Sequence, residues 1–297
     1  MRVGVAGLGK MGSAMAARLK DAGADVVVWN RTRERADATG LPVADSPRAL
    51  AEQADIVVTM LFDDPAVLQV FRGASGLLEA APGKLFIEMS TVRPATHEHL
   101  ADNVRSAGGA YVECPVGGST GPARSGKLLG LAGGEDVDIT RARPVLDLLC
   151  RRVEHVGKVG AGASAKLAIN LPLLVFWQAF GEANALIRHL KLDPEFVVEL
   201  FADTSGGANV LKTRGPAIVA ALAGKDPGPP SFDVDSIRKD LRTMLAEAAD
   251  HGFSLPVSER TLTAFDEAAA SGLGKRDCSL LPAYWAAKAD RPADADA

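Results

Sequence analysis

The feature that most constrains this chain is a glycine-rich turn, Gly7-Leu8-Gly9-Lys10-Met11-Gly12, set between a run of apolar residues and an amphipathic one. Before it, Val3 to Ala6 reads as a short strand, nearly all apolar, as strands buried on both faces are. After it, Met11 to Ala22 places Met15, Leu19 and Ala22 on one helical face, and Gly23 stops the helix. In a strand–turn–helix of this kind each glycine has its own task. The first permits the tight turn, the second lets a pyrophosphate approach the backbone, and the third lets helix and strand pack closely. The helix N-terminus then turns N–H groups and the positive end of its dipole toward the phosphates. The turn therefore matches a dinucleotide-binding fingerprint in its required context.

The remainder of the first half continues the pattern. Asp25 to Trp29, Ile56 to Met60 and Leu85 to Glu88 read as further strands, with room for a crossover helix after each. Tyr111-Val112-Glu113, Leu128 to Ala132 and Val153 to Val156 are additional β-like pieces. After Gly160-Ala161-Gly162 the texture changes. One long helical pattern runs from Ala163 to Leu190, followed by helical stretches at Pro194 to Ala202, Val210 to Leu222, Ser236 to His251 and Val257 to Ala270. Gly224 to Pro230 is a Pro/Gly-rich loop. The expected architecture is α/β: a Rossmann-type doubly wound parallel sheet over residues 1–160, followed by an all-helical C-terminal domain over 161–290, joined by a long interdomain helix. Residues 291–297, rich in Pro, Ala and Asp, are expected to form a flexible tail.

Composition excludes other classes. Of 297 residues, 47% are hydrophobic and 24% charged, which removes disordered and fibrous chains from consideration. The net charge of −4 comes with no basic run, so nucleic acid and anionic membranes are not expected partners. The longest apolar run, Leu171 to Trp177, is far short of a membrane span, and the N-terminus lacks the core of a signal peptide. Three scattered cysteines, Cys114, Cys150 and Cys278, suit a reducing compartment, so a cytoplasmic location is expected. His97, His99, His155, His189 and His251 form no cluster with other ligand types, and no metal site is expected. His97 and His99, two apart in a helical stretch, read as solvated.

The second strand ends at Trp29-Asn30-Arg31-Thr32. A site preferring NAD carries Asp or Glu there to hold the ribose 2′-hydroxyl. Asn30 has no charge to repel a 2′-phosphate, and Arg31 with Thr32 is suited to bind one by charge-assisted hydrogen bonds. NADP(H) is therefore favoured over NAD(H).

With these features on one chain, the sequence resembles the β-hydroxyacid dehydrogenase family, which includes 3-hydroxyisobutyrate dehydrogenases and semialdehyde reductases. The resemblance runs to about residue 287. It is carried by Gly7-Leu8-Gly9-Lys10-Met11-Gly12, by Glu113 to Ser119 with Ala123 and Gly126, by Gly160-Ala161-Gly162 followed by Lys166 and Asn170, and by Lys239-Asp240. It implies that Lys166 is the catalytic acid/base and that Asn170 helps to hold the substrate. Elementary chemistry agrees: residues at i and i+4 share a helix face, and a carbonyl that accepts hydride at carbon needs a proton at oxygen. The first turn of a helix also disfavours a cation and eases loss of its proton. The resemblance implies cofactor contacts from the glycine turn and from Met60, Leu61, Thr91 and Lys239, with Asp240 orienting Lys239 or Lys166. It also implies a substrate loop at Gly117, Gly118, Ser119 and Thr120. The family serine is replaced by Gly117, and either Ser119 and Thr120 or the loop N–H groups are left to donate. Pro172, inside the long helix, is expected to kink it, and Trp177 beyond it lines either the substrate pocket or the domain-interface core.

The reaction implied is NADPH-dependent hydride transfer to a small aldehyde or keto acid, reversible as a 3-hydroxyacid dehydrogenase. An imine reductase and a non-catalytic NADP-binding module on the same fold are the alternatives. Lys166 speaks against the first, since imine reductases typically carry another residue there, and Lys166 with Asn170 against the second. The apolar faces of the helical half are more than one small domain can cover, so a homodimer or homotetramer is expected.

Overall fold

The computed structural model describes residues 1–289; the expectation of a tail at 291–297 falls outside them. The chain divides into two compact units, the first ending at Leu167 and the second beginning at Ala168.

The first unit is built around one sheet. Its strands are β1 (Arg2–Ala6), β2 (Asp25–Trp29), β3 (Ile56–Thr59), β4 (Leu85–Glu88), β5 (Ala110–Glu113), β6 (Val116–Gly117), β7 (Leu128–Gly133) and β8 (Cys150–Gly157). The spatial order is β2-β1-β3-β4-β5-β7-β6, with β8 paired to β7. Strands β1 to β5 are parallel, in register from Val3 beside Ile56 through Glu88 beside Glu113. Every residue of β3 and β4 is buried, as a sheet covered on both faces requires. The sheet is not parallel throughout: β7 runs antiparallel to β5, and β8 runs parallel to β7.

The helices that cover it are α1 (Lys10–Asp21), α2 (Arg33–Asp37), α3 (Pro47–Gln53), α4 (Asp64–Arg72), α5 (Pro94–Ser106), α6 (Thr120–Arg124) and α7 (Asp136–Leu149). Two cores result, one on each face. Met15, Leu19, Val58, Ile87, Val112 and Leu146 belong to one, and Leu50, Phe71, Phe86, Leu100, Val104 and Tyr111 to the other. Side-chain caps start two of the helices: Ser46 accepts from Ala49 N–H and Asp63 from Ala66 N–H.

Helix α8 (Ala161–Ile187) continues as a 3₁₀ turn to Leu190 and passes unbroken through Pro172. It corrects one expectation. By length and composition the span Ala161–Leu190 is long and apolar enough to cross a membrane. Counting uninterrupted apolar residues missed this, because isolated polar residues divide the run without changing the helix's overall character. Of the polar residues, Lys166, Asn170, Gln178 and Asn184 are buried, while Ser164 and Glu182 are exposed.

The second unit consists of the rest of α8 with α9 (Pro194–Ala202), α10 (Val210–Leu222), α11 (Val234–Asp250), α12 (Pro256–Ala268) and α13 (Leu281–Ala289). Asp193 and Asp233 cap α9 and α11. Asp277 ties the unit's distant loops together, accepting from Arg214 at 2.7 Å and from Ser231 N–H at 2.8 Å.

Candidate active site

In a doubly wound sheet, ligands bind beyond the carboxyl ends of the strands where the strand order reverses. Here that point lies between β1 and β3, and the glycine turn leaves β1 there. Gly7 sits at φ +95°, and a Cβ on it would collide with the Met60 carbonyl at the end of β3. A Cβ on Gly12 would collide with the Gly7 carbonyl. Gly9, the residue that starts α1, differs: nothing lies within 4 Å of where its Cβ would stand. The open space lies over the first N–H groups of α1, which a helix leaves without internal partners. A pyrophosphate fits there, and the turn suits a dinucleotide.

The end of β2 braces this turn. Asn30 Oδ1 accepts from Leu8 N–H at 2.9 Å, and its Nδ2 donates to the Thr32 carbonyl at 2.9 Å. The Asn30 side chain is thus spent on holding the turn. Arg31 and Thr32 are exposed beside it, whereas Arg33 is engaged by Asp37 and Asp45. Lys10 is exposed and Met11 half-buried at the start of α1.

Beyond β3, Met60 and Leu61 are half-buried, and Leu61 N–H donates to Ser90 Oγ at 2.7 Å. Ser90 N–H and Thr59 Oγ1 in turn donate to the Glu88 carboxyl, at 2.5 and 2.6 Å. Glu88 is completely buried, and desolvation pushes its carboxyl up to about 7 against the bonds from Ser90 and Thr59. It fixes the loop that carries Leu61, and half-buried Thr91 follows Ser90.

One strand over, β5 also ends in a buried acid, Glu113. His97 corrects the sequence expectation: it is fully buried, with Nδ1 2.9 Å from Tyr111 Oη and 3.5 Å from Glu113 Oε2. Pro94, His97, Leu100, Ala101 and Val104 form the inner face of α5, and His97 belongs to that stripe. His99 lies on the outer face and is exposed. Desolvation lowers the His97 imidazole to about 3, so it is neutral.

The substrate-loop residues follow. Gly117 is half-buried and a Cβ there would make only ordinary contacts with Leu129, so the backbone does not demand glycine. Gly118 is exposed; Ser119 and Thr120 are half-buried at the start of α6, and the Ser119 hydroxyl makes no capping bond.

Lys166 lies in the second turn of α8 and not the first, because the helix begins at Ala161, two residues earlier than its pattern suggests, and it is buried, with 7% of its surface exposed. Asn170, one turn on, is buried too, and donates from Nδ2 to Asp240 Oδ2 at 3.2 Å. The other Asp240 oxygen pairs with Lys239 Nζ at 2.5 Å. Buried Asp240 on α11 thus aligns Asn170 and Lys239 together. Trp177 is buried edge-on to Phe176, within a group of rings that also includes Phe180 and Phe201.

The sequence reading gives no role to Glu88 or Glu113 and places His97 in solvent. The two acids did carry a signal: each is the charged last residue of an otherwise apolar strand, at the sheet edge where sites form.

Two family descriptions match the chain. One, the NAD binding domain of 6-phosphogluconate dehydrogenase, covers residues 2–157, and the other, NAD-binding of NADP-dependent 3-hydroxyisobutyrate dehydrogenase, covers 160–284. Glyoxylate/succinic semialdehyde reductase 1 of Arabidopsis thaliana is 34% identical over 286 residues, 95% of this chain and 97% of that protein. A 3-hydroxyisobutyrate dehydrogenase from Salmonella typhimurium has a TM-score of 0.84 at 26% identity, covering 95% of this chain and 99% of that one. An imine reductase from Myxococcus stipitatus, solved with NADP+, has a TM-score of 0.63 at 21% identity, covering 95% and 98%. At that identity the likeness is one of fold alone.

Proposed function

The chain belongs to the β-hydroxyacid dehydrogenase family, NAD(P)-dependent oxidoreductases acting on CH–OH groups, and on that premise we propose that it reduces a small semialdehyde or keto acid with NADPH. The observation that carries the proposal is the buried lysine: Lys166 lies one helical turn before Asn170, whose amide Asp240 holds.

The nicotinamide, when bound, supplies the hydride. The chain's own residues do the rest. Lys166 gives its proton to the carbonyl oxygen as negative charge develops there, and takes it back in the reverse direction. Asn170, kept in one orientation by Asp240, fixes the substrate, so that little rotational freedom remains to be lost in the transition state. The test is NADPH turnover with a panel of semialdehydes, keto acids and cyclic imines. Turnover of the carbonyl compounds is expected; activity confined to imines, or NADPH binding with no turnover at all, would overturn the proposal.

The preference for NADPH is supported by exposed Arg31 and Thr32 and by the absence of an acid at position 30. Arg31→Ala should raise KM for NADPH about ten-fold, the worth of one hydrogen bond to a charged group, and leave KM for NADH unchanged. Steady-state kinetics with both cofactors checks this, and a wild type that prefers NADH refutes it. The carboxylate end of the substrate is addressed by Gly117→Ser. The contacts around Gly117 accept a Cβ, so Tm is expected to hold while kcat/KM for 3-hydroxy acids rises about ten-fold through the added donor. A fall in kcat/KM would place the carboxylate elsewhere.

A homo-oligomer, dimer or tetramer, is part of the same proposal. Leu186, Leu190, Phe196, Leu200, Phe253 and Val257 of the second unit are exposed, more large apolar side chains than a monomer's helices leave open without a partner. Sedimentation as a monomer at micromolar concentration would exclude it. The three buried free thiols accord with a cytoplasmic location, which cell fractionation tests.

A further inference from the structure

We propose that Glu113 is a positioning residue for the reaction: its carboxyl anchors the first turn of α8 and so sets where Lys166, one turn further along, presents its amine. The inference rests on the reading of Lys166 as proton donor. Glu113 Oε1 accepts from Gly162 N–H at 2.7 Å, and the nearby N–H groups of Gly160 and Ala163 favour the charged form of this carboxyl. The acid thereby satisfies Gly162 N–H, a donor that a helix start otherwise leaves unpaired, and opposes the positive end of the dipole.

The surroundings are shaped for that carboxyl. A Cβ on Gly133 of β7 would collide with Glu113 Oε1. A Cβ on Gly162 would collide with the Leu131 carbonyl and stand 3.1 Å from the same oxygen. Glycines on two separate elements thus leave the room the acid occupies, and an ordinary solvated strand end needs no such room. The connection is short and rigid: Glu113 ends a buried sheet strand, and Ala163 and Leu167, flanking Lys166 on its helix, are buried.

The anchor also responds to pH. Burial pushes the Glu113 carboxyl up to about 7, against the N–H bonds that favour its charged form. The groups that face it are Glu98 from α5, which raises it further, neutral His97 from the same helix, Glu88 beside it on β4, and Tyr111 and Cys114 on its own segment. Gly133 and the Gly160–Gly162 turn bring no charge. Above about pH 7 the carboxylate makes charge-assisted bonds, roughly twice as strong as those of the neutral acid below it. A lysine that donates a proton has no reason of its own to fail in acid, so a fall in kcat for reduction below about pH 7 points to a buried carboxyl, Glu113 or Glu88, and its loss in a Glu113 variant assigns it to Glu113.

The full-length protein and its Glu113→Ala and Glu113→Gln variants test this. The alanine variant should lose kcat by about ten-fold or more, with KM for NADPH within about two-fold. The glutamine variant keeps an acceptor for Gly162 N–H, so it should recover most of the activity and lack the acid limb. Amide exchange without substrate or cofactor supplies the independent readout: protection of residues 162–167 should fall about ten-fold in the alanine variant while the rest of the first unit is unchanged. Full kcat and full protection in the alanine variant would overturn the proposal, as would an acid limb that persists in the glutamine variant. If the alanine variant does not fold, the glutamine profile decides. If the wild type turns over nothing on the panel, the functional reading fails, and exchange still decides whether Glu113 anchors the helix.

Discussion

Lys166→Met lowers kcat for carbonyl reduction about a thousand-fold, within the range that a positioned general acid contributes. Methionine keeps nearly the length of the side chain and removes only the ammonium, so the buried volume around position 166 stays filled. The variant loses the proton donor and, with it, the charge that stabilises oxygen as hydride arrives at carbon. Both losses fall in the transition state alone, so kcat and kcat/KM drop together while KM changes little. Binding of NADPH, measured by fluorescence titration, stays within about two-fold, because an interaction made only in the transition state adds nothing to cofactor affinity. The methionine side chain fills the space of the lysine, so small amines in the buffer restore little. A variant that keeps more than a tenth of wild-type kcat on the best substrate would show that the proton comes from elsewhere. Substrate fixation would then be all that Asn170 and Asp240 do.

What could be read from the chain alone follows a physical line. Strands β1 to β5 were legible because each is a short apolar run, and burial on both faces leaves no other composition available. The helices of the second half were legible from their 3.6-residue period. The direction of β7 was not: Leu128 to Gly133 is apolar whichever way it runs, and its antiparallel pairing to β5 depends on a distant strand. Lys166 and Asn170 were legible because i and i+4 is a local relation. Asp240 was placed near a lysine, yet its hold on Asn170 joins residues seventy positions apart. His97 was misread because its spacing from His99 drew attention away from its spacing from Pro94, Leu100 and Val104, which puts it inside. Glu113 was hidden for a similar reason. A charged residue at a strand end is ordinarily solvated, and only the glycines at 133 and 162, brought together by the fold, show that this one is enclosed.

Gly9→Ala and Gly12→Ala are expected to abolish tight NADPH binding by different routes, and the difference tests the glycine turn as a phosphate site. At Gly9 the backbone is extended, φ −69° and ψ −171°, and nothing stands within 4 Å of an added Cβ. Alanine there costs the folded protein nothing and restricts the unfolded chain, so Tm holds or rises slightly. The methyl group would nevertheless occupy the space over the first N–H groups of α1 that the pyrophosphate needs, and Kd for NADPH should rise about a hundred-fold as those bonds are lost. At Gly12 a Cβ would collide with the Gly7 carbonyl, so the turn must open before the chain can fold. That costs about 1–3 kcal/mol in stability and disperses the N–H groups as well. Calorimetric unfolding and NADPH titration on both variants separate the cases: affinity lost at constant Tm for Gly9→Ala, affinity and Tm lost together for Gly12→Ala. If Gly9→Ala binds NADPH as the wild type does, the space beside α1 is not where the pyrophosphate rests, and the steric role of the middle glycine is wrong.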